Sequence, residues 1–280
     1  MKEILKCRGE LVDINGHKIH IYRRGDINKP KIVLMAGSAT VAPIYDFKVI
    51  YEKLLDYFRI IIIEKFGYGY SDICDYPSDI DTIVSIQKQT LDFIGENGPF
   101  ILMPHSMSGL EALRWKQNYP DDVSAIIGND MATPLTYSMW TEEKVEKKIS
   151  LMRFATKYKL NSLLCLLNNR SLTKAEIRQH KLLRKRNAFN ICYINEAKEV
   201  LNNVELVRKT GYPKCSALLF CSNGKSLSEH WIKCQKEFAT ILNAKLIIYD
   251  CGHYIHHYKS EEICKEIINF VNSLESSIPV

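Results

Sequence analysis

Ser106 stands in the run PHSMSG, residues 104–109, between an apolar stretch with the look of a strand, Pro99 to Met103, and a segment of helical pattern, Met107 to Tyr119. A serine held on a sharp turn from strand to helix is presented as a nucleophile. The residues two before and two after it must be small for strand and helix to pack closely. Here those positions hold Pro104 and Ser108. Proline is tolerable at a strand end, where its nitrogen owes no ladder hydrogen bond. Met107 opens the helix, where unpaired N–H groups and the positive end of the dipole can stabilise an oxyanion. A second donor is expected from the backbone of Ser38, beside Gly37 and after the run KIVLM.

A serine hydroxyl is a weak nucleophile unless a base lies within hydrogen-bond reach. His253 is the best candidate, because CGHYIHH follows the last strand-like run, Lys245 to Tyr249, and precedes the closing helix. His256 and His257 begin the approach to that helix and are less favourably placed, and Cys251 reads as a small buried hydrophobe. The base needs an orienting carboxylate. The loop after Ser216 to Cys221 reads SNGKSLSE and has no aspartate at its mouth. Asp130, at the end of IIGND, is therefore assigned the role, with Glu229 and Asp250 behind it.

The elements that must position these groups follow from periodicity. ELVDINGHKIHIYR, residues 10–23, predicts a hairpin, since Asn15 and Gly16 suit the positive φ values of a type I′ turn. Lys31 to Met35, Arg59 to Glu64, Pro99 to Met103, Val123 to Gly128, Ser216 to Cys221 and Lys245 to Tyr249 are short, mostly apolar runs, as expected of strands covered on both faces. Between them lie predicted helices at Tyr45 to Tyr57, Asp81 to Glu96, Met107 to Tyr119 and Ser228 to Leu242, and Glu261 to Leu274 closes the chain. Such alternation implies βαβ units and a mostly parallel sheet. It stops at about Thr133, and helical segments near 141–158, 161–167, 173–186 and 193–209 follow. The expected organisation is a core of residues 1–132 and 215–280 with a helical lid inserted at 133–214.

That insertion carries the charge. From Glu142 to Lys214 there are 17 Lys and Arg against 7 Asp and Glu, a surplus of ten, which leaves the rest of the chain at −4 given a total of +6. The run KLLRKR at 181–186 reads as a solvated helix face. With no glycine-rich, aromatic-interleaved or zinc-finger pattern beside it, nucleic-acid binding is not expected. FGYGYSD at 66–72 lacks the spacing and helix-opening position of a dinucleotide fingerprint and reads as a turn. Nine scattered cysteines without a CxxC pair argue against a disulfide framework and a zinc site. The apolar runs are strand-sized, so stable membrane insertion is not expected. The N-terminus has no signal-peptide pattern, and a cytoplasmic protein is the expectation.

The motifs KIVLMAGS at 31–38, EKFGYGYSD at 64–72, PHSMSG at 104–109, IIGND at 126–130 and CGHYIH at 251–256 together resemble those of the α/β-hydrolase superfamily. The resemblance covers nearly the whole chain apart from the lid. It implies a doubly wound α/β core and a cofactor-independent hydrolase that forms an acyl-serine intermediate, with Ser106, His253 and an acid in the triad roles. The family's usual His-Gly before the oxyanion loop is Ala36-Gly37 here, and its first elbow glycine is Pro104. A serine at the elbow argues against the dehalogenases and epoxide hydrolases of this fold, which use an aspartate. The expected partner is a small-molecule substrate, a carboxylic ester, thioester or amide, and a homodimer is left open. The competing class is a binding protein of the same fold that retains a ligand without turnover.

Overall fold

The computed structural model describes residues 5–158 and 171–276. The predicted lid segment at 161–167 lies outside them. Eight strands form one sheet in the order β1-β2-β4-β3-β5-β6-β7-β8. They are β1 (Glu10–Ile14), β2 (His17–Arg24), β3 (Lys31–Met35), β4 (Arg59–Glu64), β5 (Phe100–Ser106), β6 (Val123–Met131), β7 (Ser216–Cys221) and β8 (Lys245–Ile248). β2 pairs antiparallel with β1 and β4, and all other neighbours are parallel. Asn15 and Gly16 sit at φ 53° and 82°, so the β1–β2 turn has the geometry that its Asn-Gly pair favours.

Side chains alternate across a strand, and both faces are packed. Ile32, Leu34, Ile60 and Ile62 enter one apolar cluster, whereas Val33, Met35, Ile61 and Ile63 enter the other. On the first face lie α1 (Pro43–Asp46), α2 (Lys48–Leu54) and α9 (Ser260–Glu275), through Ile44, Ile50, Leu54, Ile263 and Ile267. On the second lie α3 (Ile80–Phe93), α4 (Ser108–Asn118) and α8 (Trp231–Leu242), through Val84, Leu110 and Phe238. Between β6 and β7 come a short turn of helix at Pro134–Tyr137 and then α5 (Glu142–Lys157), α6 (Lys174–Asn187) and α7 (Ile191–Thr210).

Three element boundaries differ from the sequence reading in ways that matter. The helix expected at Tyr45 to Tyr57 is two helices that meet at Phe47, which is fully buried. β6 runs three residues past Gly128, which puts Asp130 inside the strand. The helix expected from Ser228 begins at Trp231.

FGYGYSD is a turn wrapped around a buried carboxylate. Glu64 accepts hydrogen bonds from the backbone N–H groups of Ile44 at 3.1 Å and Tyr70 at 2.7 Å and contacts His20 Nδ1 at 2.7 Å. Gly69 has φ 48°, and a Cβ there would fall onto the Glu64 carboxylate. The close approach of the Glu64 carboxylate explains this glycine.

A second buried charge cluster joins the insertion to the core. Lys65 Nζ lies 2.6 Å from Glu111 of α4 and 2.8 Å from Glu196 of α7, and Gln87 of α3 donates to Glu111 at 2.9 Å. Burial disfavours the ammonium, but the two carboxylates overcome it and hold its pKa above the ordinary lysine value. Lys65→Met would leave two buried carboxylates facing each other. The expected cost is about 3–5 kcal/mol, read as a lower urea midpoint at unchanged slope. An unshifted midpoint would show that the cluster contributes nothing to stability.

Candidate active site

β5 ends on Ser106 at φ 54°, a left-handed conformation that a serine adopts only where its surroundings impose it. The constraints are visible. The register of β5 against β6 shifts between His105 and Ser106, and Ser106 O accepts from Ala132 N at 2.7 Å. Pro104 pairs with Met35 of β3 inside the sheet. Ser108 does more than be small. Its hydroxyl accepts from His105 N at 3.0 Å and lies within hydrogen-bonding distance of Met35 O and His105 O, at 2.8 and 2.9 Å. One side chain thus pins both sides of the turn. Gly109 supplies the close approach, since a Cβ there would lie 2.1 Å from Ala132 O.

Gly37 is required for the same reason on the facing loop. A Cβ on it would fall 2.7 Å from Ser106 Cβ and 2.8 Å from His105 O. Gly37→Ala should therefore crowd the Ser106 turn and cost about 1–3 kcal/mol of stability. An unshifted urea midpoint would show that the turn absorbs the methyl group.

The structure brings His253 and Asp130 together. His253 Nδ1 lies 2.6 Å from Asp130 Oδ2, and Asp130 is fully buried. Its other oxygen accepts from Ser222 N and from Trp231 Nε1, both at 2.8 Å. A carboxylate can only accept, so the His253 proton resides on Nδ1 and leaves Nε2 as the basic nitrogen. Glu229 and Asp250 stand elsewhere, with side chains 86% and 85% exposed, beside His230 and beside Asn223 and Lys225. The Ser106 hydroxyl has no hydrogen-bond partner among the described residues, His253 included.

Ser38, Ser106 and Met107 line one cavity of about 750 Å³, counted out to its open mouth. Among the described residues, no backbone carbonyl takes the N–H of Ser38 or Met107. Thr136, Tyr137, Trp140, Val145 and Lys148 bound the cavity from the chain after β6, Ala197 and Val200 from α7, and Leu227, Ser228 and Trp231 from the chain after β7.

Sequence reasoning missed three neighbours of this site. His105 is buried, and its ring lies 4.6 Å from that of His253. Its Nε2 faces the His253 carbonyl at 3.3 Å. Burial, with the nearby His253 and His256, pushes its pKa well below the ordinary value, so it is a neutral brace. Trp231 holds the carboxylate of Asp130, and no local signal in its helix announces that contact. Asp46 is the third. It receives His256 Nε2 at 3.1 Å and His257 Nε2 at 2.9 Å, while Asn129 Nδ2 lies 2.9 Å from His256 Nδ1. Burial would raise the Asp46 pKa, but the two imidazoles hold it well below the usual carboxylate range. Among the described residues these three form the one group whose ligand atoms, all within 4.8 Å of one another, could hold a metal ion. Their mutual hydrogen bonds account for them without one.

This chain has the α/β-hydrolase fold. It is similar to a haloalkane dehalogenase, the DbeA-M1 loop variant from Bradyrhizobium elkanii, with 16% identity, a TM-score of 0.72, and 96% of this chain and 97% of that one covered. It is also similar to the enol-lactonase of Burkholderia xenovorans LB400, with 15% identity, a TM-score of 0.70, and 94% and 100% covered. In sequence it is 38% identical over 144 residues to the uncharacterized protein YbdG of Bacillus subtilis (strain 168), a match that covers 51% of this chain and 44% of that protein. The chain thus spans less than half the length of that relative. No family model matches the sequence. No described helix is long and apolar enough to cross a membrane.

Proposed function

We propose that this protein is a cofactor-independent serine hydrolase of a small carboxylic ester, thioester or amide. In this reading Ser106 attacks the acyl carbon, His253 Nε2 takes its proton and returns it to the leaving group, and Asp130 holds the imidazole in the required tautomer. The N–H groups of Met107 and Ser38 bind the oxyanion. Water then cleaves the acyl-serine by the same path. The observation that carries the reading is the buried Asp130 carboxylate 2.6 Å from His253 Nδ1. It is anchored by two further donors, and Ser106, Ser38 and Met107 share one cavity. The helices between β6 and β7 are read as a lid, since they form one wall of that cavity. The solved neighbours include an enol-lactonase and a haloalkane dehalogenase, and a serine at 106 suits acyl transfer rather than dehalogenation.

A second reading, a ligand-retaining protein without turnover, is favoured by the unpartnered Ser106 hydroxyl. Catalytic hydrogen bonds are often loose before substrate binds. One experiment separates the two. Intact mass after treatment with a fluorophosphonate should show one adduct per chain, mapped to the peptide containing Ser106. No adduct on folded protein would favour the binding protein.

A further inference from the structure

The cavity beside Ser106 is lined mainly by apolar side chains, yet one lysine stands on its lining. Lys148, on α5, is the only charged residue on its lining among those described. Although the residue as a whole is exposed, its Nζ sits 5.0 Å from the centre of the Trp140 ring. Glu142, Glu143 and Glu146 share its helix, and none of them forms an ion pair with it among the described residues. The contrast with the buried lysines is informative. Lys65 meets Glu111 and Glu196, and Lys48 meets Glu176 at 2.7 Å. An ammonium beside an aromatic face, with no carboxylate paired to it among the described residues, is available to an incoming anion. It also stands in an insertion with ten surplus positive charges, which draws anions toward the cavity.

We propose that Lys148 is the anion-recognising group of this cavity, and that the substrate is a small ester or thioester carrying a carboxylate or other anionic group besides the acyl bond cleaved at Ser106. The proposal rests on the hydrolase reading above. The anionic group can belong to the acyl chain or to the leaving group, and two pairs of esters distinguish these. The acyl pair is 4-nitrophenyl hydrogen glutarate and 4-nitrophenyl valerate. The leaving-group pair is 4-carboxyphenyl butyrate and 4-carbamoylphenyl butyrate.

In at least one pair the anionic ester should be cleaved with kcat/KM at least about tenfold above its neutral partner. Lys148→Met should bring that ratio close to one, and Lys148→Glu should invert it. Fluorophosphonate labelling of Ser106 and an unchanged melting temperature establish that each variant is folded. The same ratios in wild type and Lys148→Met, or no preference in either pair, would overturn the proposal. If Ser106 takes no label and no ester is cleaved, the hydrolase reading fails by itself, and the anion site is then read by binding. NMR titration of the wild type should show glutarate bound in preference to valerate, with the preference lost in Lys148→Met. Equal shifts with both acids would reject the site.

Discussion

Ser106→Ala is expected to abolish ester turnover while leaving the fold in place. The hydroxyl makes no hydrogen bond among the described residues, so its removal unties nothing, and alanine meets the same strain at φ 54° that serine already bears. The contacts that hold the turn belong to Ser108, Gly109 and Gly37 instead. Loss of a nucleophile from a serine triad costs on the order of 10⁴ to 10⁶ in kcat. Turnover of 4-nitrophenyl butyrate should therefore fall to the blank rate, with a melting temperature within a few degrees of wild type. Retention of more than a tenth of the activity would move the chemistry to another residue.

Asp130→Asn should be nearly as damaging, and for a reason legible in the donors around it. Oδ1 of Asp130 receives two N–H groups, from Ser222 and Trp231, whereas Oδ2 faces His253 Nδ1. An asparagine will turn its carbonyl oxygen toward the two donors and its NH₂ toward the imidazole. Nδ1 must then accept, the proton moves to Nε2, and the nitrogen needed to take the Ser106 proton is already occupied. The expected loss is about 10³ to 10⁴ in kcat at neutral pH. The shell of the carboxamide remains satisfied, so unfolding by urea should change far less than activity does. A kcat within tenfold of wild type would exclude Asp130 as the orienting acid.

The sheet was legible because its strands are short, apolar on both sides and separated by helices, and because Asn-Gly marks the hairpin. The turn at Ser106 and the meeting of His253 with Asp130 were legible from the motifs that end or follow β5, β6 and β8. Less of the surroundings could be read. The helix that periodicity makes continuous is broken at Phe47, a fully buried residue that no local pattern singles out. Trp231 and Asp46 are 101 and 210 residues from the groups they hold, Asp130 and His256, and no spacing rule spans such distances. Nothing in PHSMSG marks His105, yet its ring lies against His253. Lys148 looked like one lysine among many on a basic segment. Only the packing of α5 over the cavity sets it apart.

The grip of Asp46 on His256 and His257 reaches further than the two imidazoles. Asp46 ends the short helix that follows the Ser38 loop, and the histidines belong to the stretch just after His253. Two segments far apart in the chain, one following Ser38 and the other following His253, are thereby clamped to each other. α5 and α7, which line the cavity from the chain between β6 and β7, take no part in that clamp. Changes of length, charge or tilt in those two helices can therefore reshape the cavity while the clamp between the Ser38 and His253 segments stays as it is.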